Sequence, residues 1–319
     1  MIRGDYLTTA VAMALYNGAR FIEKQLDSIR LQTKAPDHVV MCDDGSRDAT
    51  VQIVRDYIRK YGLETTWHLY ENEKNLGYIR NFYKAISLCN ADVVFLSDQD
   101  DIWKADKIER MCHVLSDRED ILLLSCKYGI IDAEDNSISS VLEKSGPEDD
   151  KVKQIGVDDI MRAYRWPGMV MCIRKSFFAE ISAVIEEHPV AHDLMLASLS
   201  ADRGGFYEYQ YVGAFHRRHD NNTAREEHRI WKLLNLKRKM QDIDEVIKLW
   251  RNLLAEGVPL SREARGMIGE RLDLMVRRRD ALQRKSLSGV FKLYLSGGKK
   301  YLRMSSFVCD VWLAIFGKE

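Results

Sequence analysis

Asp98-Gln99-Asp100-Asp101 crowds three carboxylates into four residues directly after an apolar run, Asp92 to Leu96. Like charges at such spacing repel, and a bound divalent cation relieves the repulsion. Mg²⁺ or Mn²⁺ suits one or two carboxylates completed by phosphate oxygens. Standing alone, so short a motif reads first as a solvated acidic turn capping the next helix. Two further turns change its weight. Asp43-Asp44-Gly45-Ser46 follows the short apolar run His38 to Cys42, and Tyr16-Asn17-Gly18 follows Thr8 to Leu15. A carboxylate accepts hydrogen bonds from a nucleobase, and an aromatic ring stacks on its face. Together the three turns describe a pocket for a nucleoside diphosphate carrying a metal ion.

The elements that must bring these turns together alternate. Apolar runs at Thr8–Leu15, His38–Cys42, Thr65–Tyr70 and Asp92–Leu96 are separated by stretches of helical periodicity at Ala19–Leu31, Asp48–Tyr61 and Ile79–Cys89. Near-continuous apolar strands alternating with helices predict a mostly parallel sheet covered on both faces. In such sheets ligands collect beyond the carboxyl ends of the strands, where all three polar turns fall. Further strands are expected at Ile121–Cys126 and Val170–Ile173, a long loop at Asp132–Gln154, and a strand, turn and strand within Gly205–His216.

Composition narrows the class. The 319 residues carry 48 basic and 48 acidic side chains, which argues against a nucleic-acid binder. The balance hides an asymmetry: from Arg225 onward there are 21 basic and 12 acidic residues, a net of +9, leaving −9 for the rest. Two domains are expected, 1–224 and a basic helical region 225–319. The six cysteines include no CxxC pair, so neither a zinc ribbon nor a dithiol redox motif is present, and a reducing, cytoplasmic setting is expected. Asp5 interrupts the start of the chain, so no leader is expected, and no apolar run reaches the ~18 residues of a membrane span.

The stretch Val11–Lys107 resembles the family 2 glycosyltransferases, which have the GT-A fold. The resemblance is carried by AMALYNGARFIEKQLDSIRLQT, VVMCDDGSRDAT, NEKNLGYIRNF and DVVFLSDQDDIWKADKI, the last similar to the rhamnosyltransferase-like branch. It implies that Tyr16 stacks on the base, with Asp44 binding it and Asp43 beside it. It also implies that Asp98 and Asp100 hold a diphosphate-bound Mn²⁺ or Mg²⁺, and that Arg80 lies near the donor phosphates. Ala14 departs from the small hydroxyl residue common there. His192-Asp193 matches the pair whose Asp is the catalytic base; a helix N-cap is the alternative reading. Arg217, His219 and Asn222 match an Arg-x-His-x-x-Asn segment whose His completes the metal or diphosphate site. Asp101, Trp103, Trp166 and Arg217 are candidates for shaping the site or contacting acceptor or diphosphate, with core packing the other reading of Trp166. His188 and His216 read as structural. Processive synthases of the family carry Gln-x-x-Arg-Trp; here Arg162 stands where the Gln would be, so one sugar per encounter is expected.

The expected activity is therefore inverting transfer from dTDP-rhamnose or a UDP-hexose to a glycan on a lipid carrier. Two rivals stand beside it. A sugar nucleotidyltransferase would need a Gly-rich basic loop after the first strand, which Tyr16-Asn17-Gly18-Ala19 lacks. A non-catalytic scaffold assembling through its helices would not need Asp98, Asp100 and Asp193. In the basic region, Leu236, Met240, Ile243, Ile247, Trp250 and Leu254 form a heptad seam able to pack on the chain or on a second copy. Leu287–Phe316 mixes cations with aromatics, as a peripheral membrane helix or a docked terminal helix would.

Overall fold

A computed structural model describes residues 7–138, 149–162, 164–187, 190–219, 235–298 and 304–317. His188, Asn222, Tyr301 and the middle of the expected 132–154 loop lie outside them. The chain divides into two compact units, Met1–Ile155 with Trp166–Asp220, and Gly156–Arg165 with Asn221–Glu319.

The first unit is built on a sheet of nine strands among the described residues. Its parallel half runs β3 (Trp67–Glu71), β2 (His38–Asp43), β1 (Thr9–Leu15), β4 (Val93–Ser97). Almost every residue of β1, β2 and β4 is buried, so both faces are covered, as continuous apolar runs require. The helices α1 (Ile22–Arg30), α2 (Thr50–Tyr61) and α3 (Tyr78–Leu88) connect these strands. Each buries one stripe: Ile22, Gln25, Leu26 and Ile29 on α1, and Thr50, Val54, Tyr57 and Ile58 on α2. Gly62 closes α2 in the left-handed conformation (φ 62°), with Leu63 N–H returning to Ile58 O.

Beyond β4 the sheet becomes mixed. β5 (Ile102–Trp103), α4 (Lys107–Ser116), β6 (Leu123–Ile131), β7 (Val152–Gln154) and β8 (Met171–Arg174) lead to α6 (Lys175–Glu187), α7 (His192–Asp202) and β9 (Phe206–Arg217). The order continues β4-β8-β6-β9-β5, with β7 also on β9. β8 runs antiparallel to both β4 and β6, while β6 and β9 are parallel. Direction is invisible in a buried apolar run, which reads the same either way. The expected turn inside Gly205–His216 is instead one continuous strand. Gly213 is there for close approach: a Cβ on it would lie 2.7 Å from Cys126 Sγ, and the β6–β9 register shifts on either side of Lys127.

The second unit holds α5 (Val157–Arg162) and a helical hairpin, α8 (Leu236–Leu253) and α9 (Arg262–Gln283), followed by α10 (Leu287–Leu293), a π turn at Tyr294–Gly298 and α11 (Met304–Phe316). Asn235 and Ser261 cap the hairpin helices, accepting from Arg238 N–H and Ala264 N–H. Of the heptad seam, Leu236, Ile243, Ile247 and Trp250 are buried, while Met240 and Leu254 are half-buried. No helix among the described residues is long and apolar enough to cross a membrane.

Candidate active site

Strand register places the three polar turns side by side. Leu15 pairs with Asp43 across β1–β2, and Met13 with Ser97 across β1–β4, so Tyr16, Asp44 and Asp98 leave the same edge of the parallel half. Side chains then lock the turns together. The Gln99 amide donates from Nε2 to Tyr16 O and accepts at Oε1 from Tyr16 N–H, both at 2.9 Å. Asn17, at φ 50°, receives no help from glycine; its N–H donates to Ser46 Oγ and its Oδ1 accepts from Arg47 N–H. Gly18 leaves room for Gln99, because a Cβ there would meet Gln99 Oε1 at 2.3 Å. The Tyr16 ring itself stays half exposed (48%), open to a planar ligand.

Asp43 and Asp44 are both buried. Asp43 accepts from Gly45 N–H (3.0 Å), Ser46 N–H (2.9 Å) and Ser46 Oγ, so it shapes its own turn. Asp44 reaches across to the Asn75-Leu76-Gly77 loop. Its Oδ1 accepts from Leu76 N–H (2.7 Å) and Asn72 Nδ2 (2.8 Å), and its Oδ2 from Gly77 N–H (2.8 Å). A carboxylate has about four acceptor directions, which leaves one on Oδ2.

The Asp98–Asp101 turn is different. Burial, then the charges of Asp101 and Asp100, push the Asp98 carboxyl well above the usual range; the charge of Asp193 adds to this. Burial likewise raises Asp101, whose Oδ1 accepts from Arg217 N–H and meets His216 Nδ1, both at 3.0 Å, while its buried Oδ2 has no partner. Asp100 Oδ2 lies 2.8 Å from His219 Nε2. Burial pulls the His216 imidazole down, but the Asp101 hydrogen bond and the charges of Asp101, Asp98 and Asp100 outweigh it, taking the pKa up to about 9. His216 thus belongs to the acidic cluster; its position inside a strand concealed this in the sequence. Among the described residues no three His, Cys, Asp or Glu side chains form a ready-made metal cage. The donor set, two carboxylates with an adjacent imidazole and an orphaned carboxylate oxygen behind them, fits a hard divalent cation that takes its remaining ligands from a diphosphate.

Asp193 sits in the first turn of α7, half-buried, its Oδ1 accepting from Leu194 N–H at 2.8 Å. The N-cap position is Ala191, so the capping role is not taken by Asp193. His192 is buried, stacked on Phe82 at 4.0 Å, with neither ring nitrogen hydrogen-bonded. Burial holds its pKa below the usual value. Gly168 makes that slot possible, since a Cβ there would lie 2.4 Å from His192 Nε2.

Four candidates for substrate contact are instead built into the scaffold. Trp166 is 2% exposed, set edge-on to Phe206, and donates from Nε1 to buried Glu208 at 2.7 Å. Arg217 is wholly buried; it donates to Asp100 O (2.8 Å) and Asp132 O (3.0 Å) and pairs with Asp135, tying the 132–135 loop to the acidic turn. Asp101 is equally buried, and Trp103 nearly so, under Lys107 Nζ at 3.5 Å. None offers a face to acceptor or diphosphate. Arg80 is exposed on the first turn of α3 and lines a cavity of about 390 Å³ with Tyr83, Lys84, Phe178 and Ile185, outside the network joining the three turns. Asn72, Gln99 and Lys107 were not singled out in the sequence. Gln99 stood between the acids of its motif. Lys107, wholly buried and pushed down to about 8 by burial, donates to Met169 O at 2.7 Å beneath the site.

Residues 10–177 match the family described as glycosyl transferase family 2. The chain belongs to that family. Relatives include the dTDP-rhamnosyl transferase RfbG of Shigella flexneri, 39% identical over 100 residues, covering 30% of this chain and 34% of that protein. The O-antigen chain rhamnosyltransferase RfbN of Salmonella typhimurium is 26% identical over 226 residues, covering 66% of each. An Escherichia coli enzyme named UDP-Gal:alpha-D-GlcNAc-diphosphoundecaprenol beta-1,3-galactosyltransferase is 30% identical over 118 residues, covering 36% of this chain and 42% of that one. The matches thus span between about a third and two thirds of these family members. Among solved structures, S. aureus TarS 1–349 in complex with UDP superposes with a TM-score of 0.57 at 15% identity, covering 96% of this chain and 81% of that one. The mannosyltransferase PcManGT of Pyrobaculum calidifontis, in complex with GDP-Man and Mn²⁺, gives 0.53 at 16%, covering 98% and 87%. At that identity the likeness establishes the fold, the GT-A arrangement of a mixed sheet flanked by helices.

Proposed function

We propose that this family 2 chain is an inverting, non-processive and metal-dependent glycosyltransferase. It moves a sugar from a nucleotide-diphospho-sugar, dTDP-rhamnose or a UDP-hexose, to a hydroxyl of a lipid-linked glycan in cell-surface polysaccharide synthesis, at the cytoplasmic face of the membrane. The observation that carries this is the union of an exposed aromatic, a buried acidic loop clamp and a strained carboxylate cluster at one sheet edge. Tyr16 stacks on the base, and the remaining acceptor direction of Asp44 Oδ2 takes a base N–H. Asp43 keeps that turn in shape. Asp98, Asp100 and His219 hold Mn²⁺ or Mg²⁺, which neutralises charge on the departing diphosphate.

Asp193 is the base. Supporting this, Asp193 stands half-buried in the first turn of α7, and its charge is among those that raise Asp98. The acceptor oxygen attacks the anomeric carbon as its proton passes to Asp193. The bond from that carbon to the diphosphate oxygen breaks with both electrons leaving on oxygen, and attack on the face opposite that oxygen inverts the centre. The dTDP- and UDP-using relatives support the two donor classes, and the diphosphoundecaprenol acceptor named for the galactosyltransferase supports a lipid-linked acceptor.

Thermal unfolding against a panel of nucleoside diphosphates, each with Mn²⁺, Mg²⁺ or chelator, tests the reading. A ligand at about a hundredfold excess over Kd adds ~2.7 kcal/mol. A metal-dependent rise with UDP or dTDP is expected; no rise with any nucleotide would return the scaffold reading to the front.

A further inference from the structure

The helical unit leaves large hydrophobics uncovered in a regular pattern. Leu287, Phe291 and Leu295 recur every four residues along α10 and its π turn, and each is 40% exposed or more. Met304, Val308 and Ile315, spaced four and seven apart on α11, are at least half exposed. The opposite side of α11 is buried through Asp310, Leu313 and Ala314. Phe307 joins the two helices, stacked on Tyr294 at 4.3 Å and edge-on to Phe291 at 5.3 Å. Among the described residues, seven of the twelve exposed large hydrophobics fall between Leu287 and Phe316, so the pattern is a patch rather than surface scatter.

Charge selects what covers it. Among the described residues of 284–316 the cations are Arg284, Lys285 and Lys292, all exposed, against one acid, Asp310; in sequence, Lys299, Lys300 and Arg303 add three more positive charges outside the described residues. That acid is buried in a two-pronged pair with Arg278, Nε to Oδ2 at 2.6 Å and Nη2 to Oδ1 at 2.8 Å. Every charge left over in the stretch is positive. A second copy meeting the patch face to face would set cations against cations. An anionic lipid surface complements both features, apolar side chains entering the acyl boundary and cations meeting the lipid head groups. Neither helix can span, so the geometry is that of helices lying in the interface.

We infer that the apolar stripes of α10 and α11 seat the protein on an anionic bilayer surface. This deepens the lipid-linked acceptor reading, yet its test needs neither donor nor acceptor. The full chain, free of nucleotide, is sedimented with phosphatidylcholine vesicles containing about 30 mol% phosphatidylglycerol and with phosphatidylcholine alone, at low and high salt. Binding to the anionic vesicles that weakens with salt is expected. Leu295→Ser with Val308→Ser should lower it more than tenfold, with an unchanged unfolding midpoint because both residues are exposed. Absence of anionic-vesicle binding at low salt, or equal binding by the double variant, overturns the proposal. So does a dimer in sedimentation velocity that the double variant dissolves. The nucleoside diphosphate shift, run on the same preparations, reports separately on the donor site.

Discussion

Two acidic turns flank the end of β1, one after β2 and one after β4, and they treat their carboxylates in opposite ways. Asp43 and Asp44 are buried and surrounded by donors, mostly main-chain N–H groups from their own turn and from the Asn75–Gly77 loop. Asp98 and Asp101 are crowded by each other and by Asp100, with burial raising both and one Asp101 oxygen unpartnered. A carboxylate fed by N–H groups serves the fold by charge-assisted hydrogen bonds. A carboxylate facing other carboxylates destabilises its surroundings until a cation arrives. The same residue type therefore ties loops together on one side of β1 and is left in mutual repulsion on the other, where the proposed ion would sit.

The strongest test separates the two turns by sign. Asp98→Asn should abolish metal-dependent stabilisation by the nucleotide while raising the unfolding midpoint in chelator, since one repelling charge is gone. A fall in that midpoint would break the contrast. Within the same pocket, Asp193→Asn should cost ~10²–10⁴ in transfer rate with the nucleotide-induced shift intact; transfer at the parental rate would remove Asp193 as the base. Asp44→Asn should lower stability with or without metal by about 1.5–3 kcal/mol, because its amide N–H₂ would oppose the Leu76 or Gly77 donors. Denaturant midpoints would show this. Gln99→Ala should weaken nucleoside diphosphate binding even in chelator, because Tyr16 loses both main-chain anchors; calorimetric titration reads it, and an unchanged Kd would uncouple the base side from the acidic turn. The smallest effect is expected for Trp166→Phe, about 1 kcal/mol of stability from the bond to Glu208, with acceptor kinetics unchanged.

Residue order by itself determined where the strands end and which side chains leave those ends. Both are local: apolar runs mark β1, β2 and β4, and the polar turns follow them directly, so Tyr16, Asp44 and Asp98 could be placed on one edge. Only the tertiary structure decided which of those groups are satisfied and which are strained. The partners that decide it are distant in the chain. Asp44 is held by a loop about thirty residues on, and Asp101 and Asp100 meet His216 and His219 more than a hundred residues on. The same distance hid the burial of Trp166 and Arg217, whose types read equally as ligands or as core until Glu208, Asp100 and Asp135 were found against them. Strand direction at β8 was also undecided, because a buried strand has the same apolar pattern in either direction, and the unbroken run of β9 was misread as strand, turn and strand because a close-packed glycine resembles a turn. Local pattern fixes which face and which end a residue occupies; long-range packing fixes its dielectric and its hydrogen bonds, and those set what its charge can do.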